Sequence, residues 1–380
     1  MDFELTSSQK ALQESVREFA KKELLPGVIE RDETSEFPKE QYKKMGEMGL
    51  MGLPYPKELG GQGLGYMEYV LAVEEISKVD ASMGIAYSVS TSLYGGSIFG
   101  SDASDEIKKK ALEEVLKGEK LGAFGLTEAT AGSDAGGIQT TATLDGDEYV
   151  INGTKIFNTN GPLAGYYAIY ALTTPEKGQK GLSTFLVPRE SKGLSIGKIE
   201  NKMGIRSAQV SEIILENVRV PKEYKITAEE TGFKLAMKTL DNGRIGVAAQ
   251  GLGIAQGAFD IAVAYLKERE QFGRPLAKNQ YLQFKMAELQ MEIDAARLML
   301  YKAAFKHDNG GSFTLDAAKA KYLCTNAAMH VTTEAVQMLG GNGFMREYHV
   351  ERMMRDAKIT QIYEGTNEIQ KMIVGGAIFR

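Results

Sequence analysis

Gly125-Leu126-Thr127-Glu128-Ala129-Thr130-Ala131-Gly132-Ser133-Asp134-Ala135-Gly136-Gly137 marks the point at which one sequence period gives way to another. Up to residue 120, apolar residues recur at helical spacing. Thr6 and Gln9 have capping-box spacing ahead of Leu12, Val16 and Phe19, which share one helical face, and Pro26 ends that helix. Ile107, Ala111, Leu112, Val115 and Leu116 form a second stripe, closed by Gly118. Residues 81–99 are small, apolar and largely uncharged, which predicts a helix buried on several sides. Beyond the quoted stretch, Glu148 to Ile151, Tyr166 to Leu172, Leu182 to Val187 and Val210 to Leu215 are rich in β-branched and aromatic residues. Asp145-Gly146, Asn152-Gly153, Asn160-Gly161 and Lys192-Gly193 punctuate them as turns. The helical period returns over roughly 233–270, 276–307 and 314–340. The order predicts a helical domain over 1–120, an antiparallel β domain over 121–232 and a helical bundle over 233–380.

Composition narrows the function. Of 380 residues, 43% are apolar and 25% charged, the balance of a folded globular chain. Lys plus Arg total 45 against 50 for Asp plus Glu, and a net charge of −5 argues against nucleic acid as a partner. The single cysteine, Cys324, cannot close an internal disulfide, and His307, His330 and His349 are too scattered for a Cys/His metal cage, so no metal is expected. The start, Met-Asp-Phe-Glu-Leu, lacks a signal-peptide pattern, and no uninterrupted apolar run reaches the ~18 residues of a membrane span. A cytoplasmic protein is expected. Neither G-x-G-x-x-G after a strand nor G-x-x-x-x-G-K-[ST] occurs, which disfavours Rossmann and P-loop enzymes. Gly246, Ala249, Gly253 and Gly257 form a small-residue ridge that predicts close approach of a neighbour, since each helical glycine costs ~1 kcal/mol against alanine.

Three segments carry candidate chemistry, and each has two readings. The stretch 125–137 offers hydroxyls and unshielded N–H groups to a phosphate or a flat polar ring, or is an ordinary glycine-rich connection. Gln337-Met338-Leu339-Gly340-Gly341-Asn342-Gly343-Phe344 follows a long helix, and reads unaided as its glycine-rich C-terminus, with Glu347, Glu351, Arg352, Arg355 and Asp356 on a solvated face beyond. In Ile362-Tyr363-Glu364-Gly365-Thr366-Asn367-Glu368-Ile369-Gln370, Glu364 is either a carboxylate in a desolvated pocket, with the proton affinity of a usable base, or an acid at a helix N-terminus. Thr366 and Asn367 fit a helix cap equally well.

In this order and at these distances the segments resemble the acyl-CoA dehydrogenase family, most of all its short-chain, butyryl-CoA branch. Met203-Gly204-Ile205-Arg206-Ser207, Leu240-Asp241-Asn242-Gly243-Arg244 and Arg269-x-Gln271-Phe272-Gly273 extend the likeness over essentially the whole chain. The resemblance implies an N-terminal helical domain, a β-barrel-like middle and a C-terminal four-helix bundle, assembled as a homotetramer, a dimer of dimers. It implies FAD, faced from the middle domain by Phe124, Leu126, Thr127, Gly132, Ser133, Phe157 and Thr159. Arg269, Phe272, Gln280, Gln337, Leu339, Gly340 and Gly341 would reach the adenosine and pyrophosphate end of FAD in a neighbouring subunit, with Thr366 and Glu368 completing the site. Ser133, Asp241, Arg244 and Gly365 would contact the acyl-CoA substrate.

The same resemblance makes Glu364 the base that takes the α-proton, while a β-hydride passes to the flavin and electrons pass on to an electron-transferring flavoprotein. Asn242 and Gly243 stand where other branches of the family carry their base, so Glu364 has no competitor there. Ala81-Ser82-Met83-Gly84-Ile85-Ala86-Tyr87 carries no cation for a distal carboxylate, which implies an uncharged acyl group. Two positions depart from the pattern: Ala129-Thr130 replaces a frequent proline, and Asn158 replaces the usual apolar residue beside the flavin. The alternatives are a branched, alicyclic or aryl-propionyl-CoA substrate, the same enzyme working as an enoyl-CoA reductase, an oxidase, which is usually far longer, and a flavin-binding electron-relay subunit, which would lack the base.

Overall fold

The computed structural model describes residues 4–379. Helix α1 (Ser7–Phe19) starts on the expected capping box: the Gln9 N–H donates to Thr6 Oγ1 at 3.2 Å, and the Thr6 N–H to Gln9 Oε1 at 3.0 Å. After a π turn over Ala20–Leu24, Gly27 at φ 75° redirects the chain into α2 (Val28–Thr34). There follow α3 (Lys39–Glu47), α4 (Tyr66–Ser77), α5 (Ala81–Ser88), α6 (Gly96–Phe99) and α7 (Asp105–Leu116). The buried helix predicted over 81–99 is α5 and α6 joined by a π turn, Val89–Gly95, with every residue from 81 to 98 buried.

The middle of the chain is a seven-stranded sheet: β1 (Leu121–Gly125), β2 (Thr141–Asp145), β3 (Glu148–Thr159), β4 (Ala164–Leu172), β5 (Leu182–Pro188), β6 (Leu194–Ile199) and β7 (Val210–Pro221). Their order is β1-β4-β2-β3-β7-β6, with β5 also paired to β4. Asp145 pairs with Glu148 across a tight turn with Gly146 at φ 63°, as the Asp-Gly pair predicts. The expectation of an antiparallel domain holds for β2–β3, β3–β7, β6–β7 and β4–β5, but β1–β4 and the single bridge β2–β4 are parallel. The physical reason is connection length. Tight turns report only hairpin partners, whereas β1 reaches β4 through a long crossover, and its sequence, Leu-Gly-Ala-Phe-Gly, has little strand character.

The C-terminal part contains α8 (Gly232–Glu268), the short ribbon β8 (Glu270–Gln271) and β9 (Arg274–Pro275), α9 (Gln280–Asp308), α10 (Thr314–Leu339), α11 (Val350–Thr360) and α12 (Asn367–Ile378). Helices α8 to α11 form the four-helix bundle, and a fifth, α12, lies along α10. Helix α8 is long and apolar enough to cross a membrane, yet 72% of its most apolar window is buried inside the protein. Its small-residue ridge is where α4 and α5 cross. A Cβ on Gly246 would meet Ser88 Oγ at 2.3 Å and the Tyr69 hydroxyl at 2.5 Å, and one on Gly253 would meet the Glu74 carbonyl at 2.4 Å.

Polar seams fix the three parts together. The Asn160 amide donates to Ala86 O (3.0 Å), Ser90 Oγ (3.2 Å) and Gly122 O (3.1 Å), joining the sheet to α5 and its π turn. Buried Asp356 on α11 accepts the Ile205 N–H at 2.5 Å and pairs with Arg352 at 3.0 Å, while Arg355 bridges Asp32 and Glu351. The 203–207 motif is thereby held against α11, and a Cβ on Gly204 would lie 2.4 Å from the Arg355 carbonyl oxygen. Gly204→Ala should therefore lower the thermal midpoint, overpacking of this kind costing ~1–3 kcal/mol. A midpoint equal to the parent's in differential scanning fluorimetry contradicts this packing.

Candidate active site

Between α11 and α12 the chain makes two successive left-handed residues, Glu364 at φ 53° and Gly365 at φ 88°. Glycine adopts this freely; a glutamate there is strained and must be held by its surroundings. Thr366 caps α12, its Oγ1 accepting the Ile369 N–H at 3.4 Å, so the helix end is served by Thr366 and not by Glu364. The turn points the Glu364 carboxylate inward. Both of its oxygens are buried, and neither has a hydrogen-bond partner among the described residues. Its own N–H likewise donates to no protein acceptor among them. Burial pushes the Glu364 carboxyl up to about 7, against the partial pull of Lys321 and Arg244.

Helix α8 supplies the facing wall with Asp241, Asn242, Gly243 and Arg244, all buried. Asp241 accepts from Arg244 and from Thr314 Oγ1, each at 2.5 Å, while burial raises its carboxyl despite both bonds. Arg244 Nε is a buried charged donor without a hydrogen-bond partner among the described residues. Gly243 is the close approach that matters most: a Cβ there would sit 1.9 Å from Glu364 Oε2 and 2.6 Å from Leu93. The carboxylate occupies the space that any side chain at 243 would fill.

The sheet side of the site is built by β1, the loop after it and β3. Phe124 stacks near Tyr170 at 5.1 Å, and with Leu126 it shares a core with Phe233, Ala236, Met237 and Leu240, the turns of α8 just before Asp241. Thr127 is fixed through its carbonyl, which accepts the Ile156 N–H at 2.9 Å. Gly132 and Ser133 are exposed on the loop, and Thr159 is half-buried. Phe157 stands at φ 55° with 63% of its surface exposed, beside a register shift between β3 and β7. Asn158, which stands where the family carries an apolar residue, is buried and donates to the Ser211 carbonyl at 3.0 Å. The extra residue at the shift lets exposed Phe157 and buried Asn158 follow buried Lys155 without strict alternation.

The remaining expected residues lie elsewhere in the chain. Arg269, Phe272 and Gln280 are exposed around the ribbon after α8, Phe272 fully so and at φ 53°. Gln337, Gly340 and Gly341 are exposed at the end of α10, where Leu339 is buried and Asn342 donates to the Tyr265 hydroxyl at 2.9 Å. From Arg244 to Arg269 helix α8 rises about 37 Å at 1.5 Å per residue. This group therefore stands at the far end of the bundle from Glu364. Glu368 is exposed on the first turn of α12, near Thr366.

Sequence reading missed four buried polar groups here. Glu128 and Lys155 pair at 2.6 Å, Lys155 also donating to the Leu126 carbonyl at 3.1 Å, while Glu128 accepts from Gln139 N, Thr140 N and Thr140 Oγ1. Gln250 bonds to the Tyr363 hydroxyl and to Ala81 O. Lys321 donates to Gly365 O. Its signal was legible: a lone lysine on the face of α10 that otherwise carries Ala317, Cys324 and Ala328.

A strained turn thus holds a buried carboxylate, without a hydrogen-bond donor among the described residues, against α8 at Gly243, an arrangement chemically able to accept a proton. Family models described as acyl-CoA dehydrogenase N-terminal, middle and C-terminal domains match residues 6–119, 123–218 and 230–379. The chain is 52% identical, over the full length of both, to the short-chain-specific acyl-CoA dehydrogenase of Clostridium acetobutylicum. Over all of both chains it superposes at TM-score 0.98 on butyryl-CoA dehydrogenase from Megasphaera elsdenii, at 47% identity. The same score, at 48% identity and full coverage of both chains, relates it to a chain solved in work on the electron transferring flavoprotein of Acidaminococcus fermentans. The chain belongs to the acyl-CoA dehydrogenase family, and is an oxidoreductase of the flavin-using kind. Gly243→Ala favours helix by ~1 kcal/mol, so a folded protein is expected, yet it should displace the carboxylate and cut acyl-CoA turnover by ~10²-fold. Parental turnover in a steady-state assay contradicts the placement of Glu364.

Proposed function

We propose that the enzyme removes one hydrogen from each of the α- and β-carbons of a short, uncharged acyl-CoA such as butyryl-CoA, giving the trans-2-enoyl-CoA. The reading rests above all on the Glu364 carboxylate, whose oxygens are buried and without a hydrogen-bond partner among the described residues. Such a group is a strong base when ionised, because no donor in the protein competes for its lone pairs. Glu364 takes the α-proton. Its own N–H, left without a protein acceptor among the described residues, donates to the thioester oxygen and stabilises the charge that develops there. Arg244, Asp241, Ser133 and Gly365 hold the CoA part, Arg244 through its unpartnered Nε.

FAD is the cofactor proposed, and when bound it supplies the acceptor for the hydride that leaves the β-carbon. The fit is supported by exposed Phe157 and half-buried Phe124 and Thr159, by the bare N–H groups of the loop at Gly132, and by Thr366 and Glu368 at the head of α12. The Leu126 carbonyl accepts from Lys155 Nζ and the Thr127 carbonyl from the Ile156 N–H, which fixes this edge of the site. Arg269, about 37 Å along α8 from Arg244, serves the cofactor of a second copy of the chain together with Phe272, Gln280, Gln337, Leu339, Gly340 and Gly341. This favours an obligate dimer and, with it, a homotetramer built as a dimer of dimers. A fully exposed Phe272 supports burial by such a neighbour. The three domains are 1–120, 121–232 and 233–380, the electron acceptor is an electron-transferring flavoprotein, and the enzyme works in the cytoplasm.

Three outcomes follow. Because the ionised carboxylate is the active form, kcat/KM for butyryl-CoA should rise with pH and level off above about 7, where the Glu364 carboxyl titrates. Glu364→Gln should keep its flavin yet lose ~10²–10⁴-fold in the rate of flavin bleaching by butyryl-CoA; bleaching at the parental rate overturns the base. Arg269→Ala should weaken FAD retention by about tenfold or more, the loss of a charge-assisted hydrogen bond. Stoichiometric FAD after extensive dialysis, equal to the parent's, contradicts the cross-subunit role.

A further inference from the structure

Lys321 lies on the inward face of α10 with none of its surface exposed. Both hydrogen bonds of its ammonium go to neutral oxygens: Gly365 O at 2.9 Å and Asn367 Oδ1 at 3.0 Å. These acceptors flank Thr366, in the link that carries Glu364 into α12. The Gly365 carbonyl also accepts from Gln370 Nε2 at 2.8 Å. Asn367 is held in turn by Thr325 Oγ1 at 3.0 Å and Asn326 Oδ1 at 3.1 Å, and Gln361 reaches Asn326 Oδ1 at 2.8 Å. Both ends of the left-handed turn are thus fastened to one stretch of α10, residues 321–326.

We propose that Lys321 is a positioning residue for the base: its buried ammonium clamps the Glu364–Gly365 turn against α10 and supplies the positive charge that lets the Glu364 carboxylate exist ionised inside the protein. This rests on Glu364 being the base. A neutral donor would satisfy the Gly365 carbonyl, and Gln370 already does so; what a lysine adds is charge. Burying an ammonium is costly unless an opposite charge stands near, and the carboxylate that acts on Lys321 most strongly is that of Glu364. The titratable groups facing Glu364 are Lys321 from α10, Arg244 from α8, Tyr69 from α4 and Tyr363 from its own turn. Glu368 acts on Lys321 more weakly. Arg244 is paired with Asp241 at 2.5 Å, and of the two cations that act on Glu364 Lys321 has the larger effect. Burial pushes the Lys321 ammonium down and the Glu364 carboxyl up, and the opposite charge of each works against the shift of the other.

The test is Lys321→Met in the flavin-loaded enzyme, with Asn367→Leu, which removes one of the two acceptors, as a milder second variant. Flavin content and the KM for butyryl-CoA should stay within about threefold of the parent's, while kcat falls on the order of 10²-fold, as expected when a reacting group is misplaced by an ångström or so. The acid limb of kcat/KM should also move to higher pH, because the lost cation no longer favours the carboxylate. Asn367→Leu should shift the limb the same way by less, and it carries the test if Lys321→Met does not fold. An acid limb at the parental pH in the folded variant, or a fall in kcat that only tracks flavin loss, overturns the assignment. Turnover surviving in Glu364→Gln would instead overturn the base itself, a separable failure.

Discussion

A carboxylate removed from water without a hydrogen-bond donor is among the least favourable groups a protein can bury; left alone it holds its proton instead of its charge. The rest of the site is arranged around that penalty. Glu364 is kept from solvent so that its oxygens stay free for a proton, and kept near two cations so that its ionised form remains within reach of neutral pH. Full neutralisation by a direct ion pair would make it a poor base, and the geometry avoids one: Arg244 pairs with Asp241, and Lys321 bonds to carbonyl and amide oxygens.

The architecture serves the same constraint. Helix α8 is in contact with α4, α5, α9, α10 and α11, and its glycines set how close α4, α5 and α10 come. Gly243 makes room for the carboxylate, and Gly246, one turn on, admits Tyr69 and Ser88. The preceding turns of α8 pack on β1 and its loop, so one helix registers the base against the sheet. The Glu128–Lys155 pair performs a similar office for the loop, gripping Leu126 and Thr140 where the backbone must stay open to a ligand. The strain in two consecutive left-handed residues is supported by bonds from α10, α12 and the end of α11.

Much of this was legible in the sequence. Thr6 and Gln9 gave the first helix, Asp145-Gly146 a hairpin, and the helical period the three long C-terminal helices, because each is a local signal within a few residues. The parallel β1–β4 pair was not, since nothing in Leu121–Gly125 names a partner some forty residues on. The left-handed conformation of Phe157 beside the β3–β7 register shift was not legible either, because such a bulge leaves no local signal in the strand's sequence. Glu364 alone was ambiguous between base and helix-end acid; its positive φ and its empty hydrogen-bond shell, which distinguish the two, exist only in three dimensions. Lys321 showed itself as a lysine among alanines, but its reach to Gly365 depends on how α10 and α12 cross.

The central claim is that the Glu364 carboxyl is desolvated and titrates far above an ordinary glutamate. Difference infrared spectroscopy of the carboxyl C=O stretch, parent minus Glu364→Gln, titrated from pH 4 to pH 9, reads that proton directly. The account predicts a band that disappears with a midpoint near 7. A midpoint near the ordinary 4.5, as for a carboxylate in water, would contradict it.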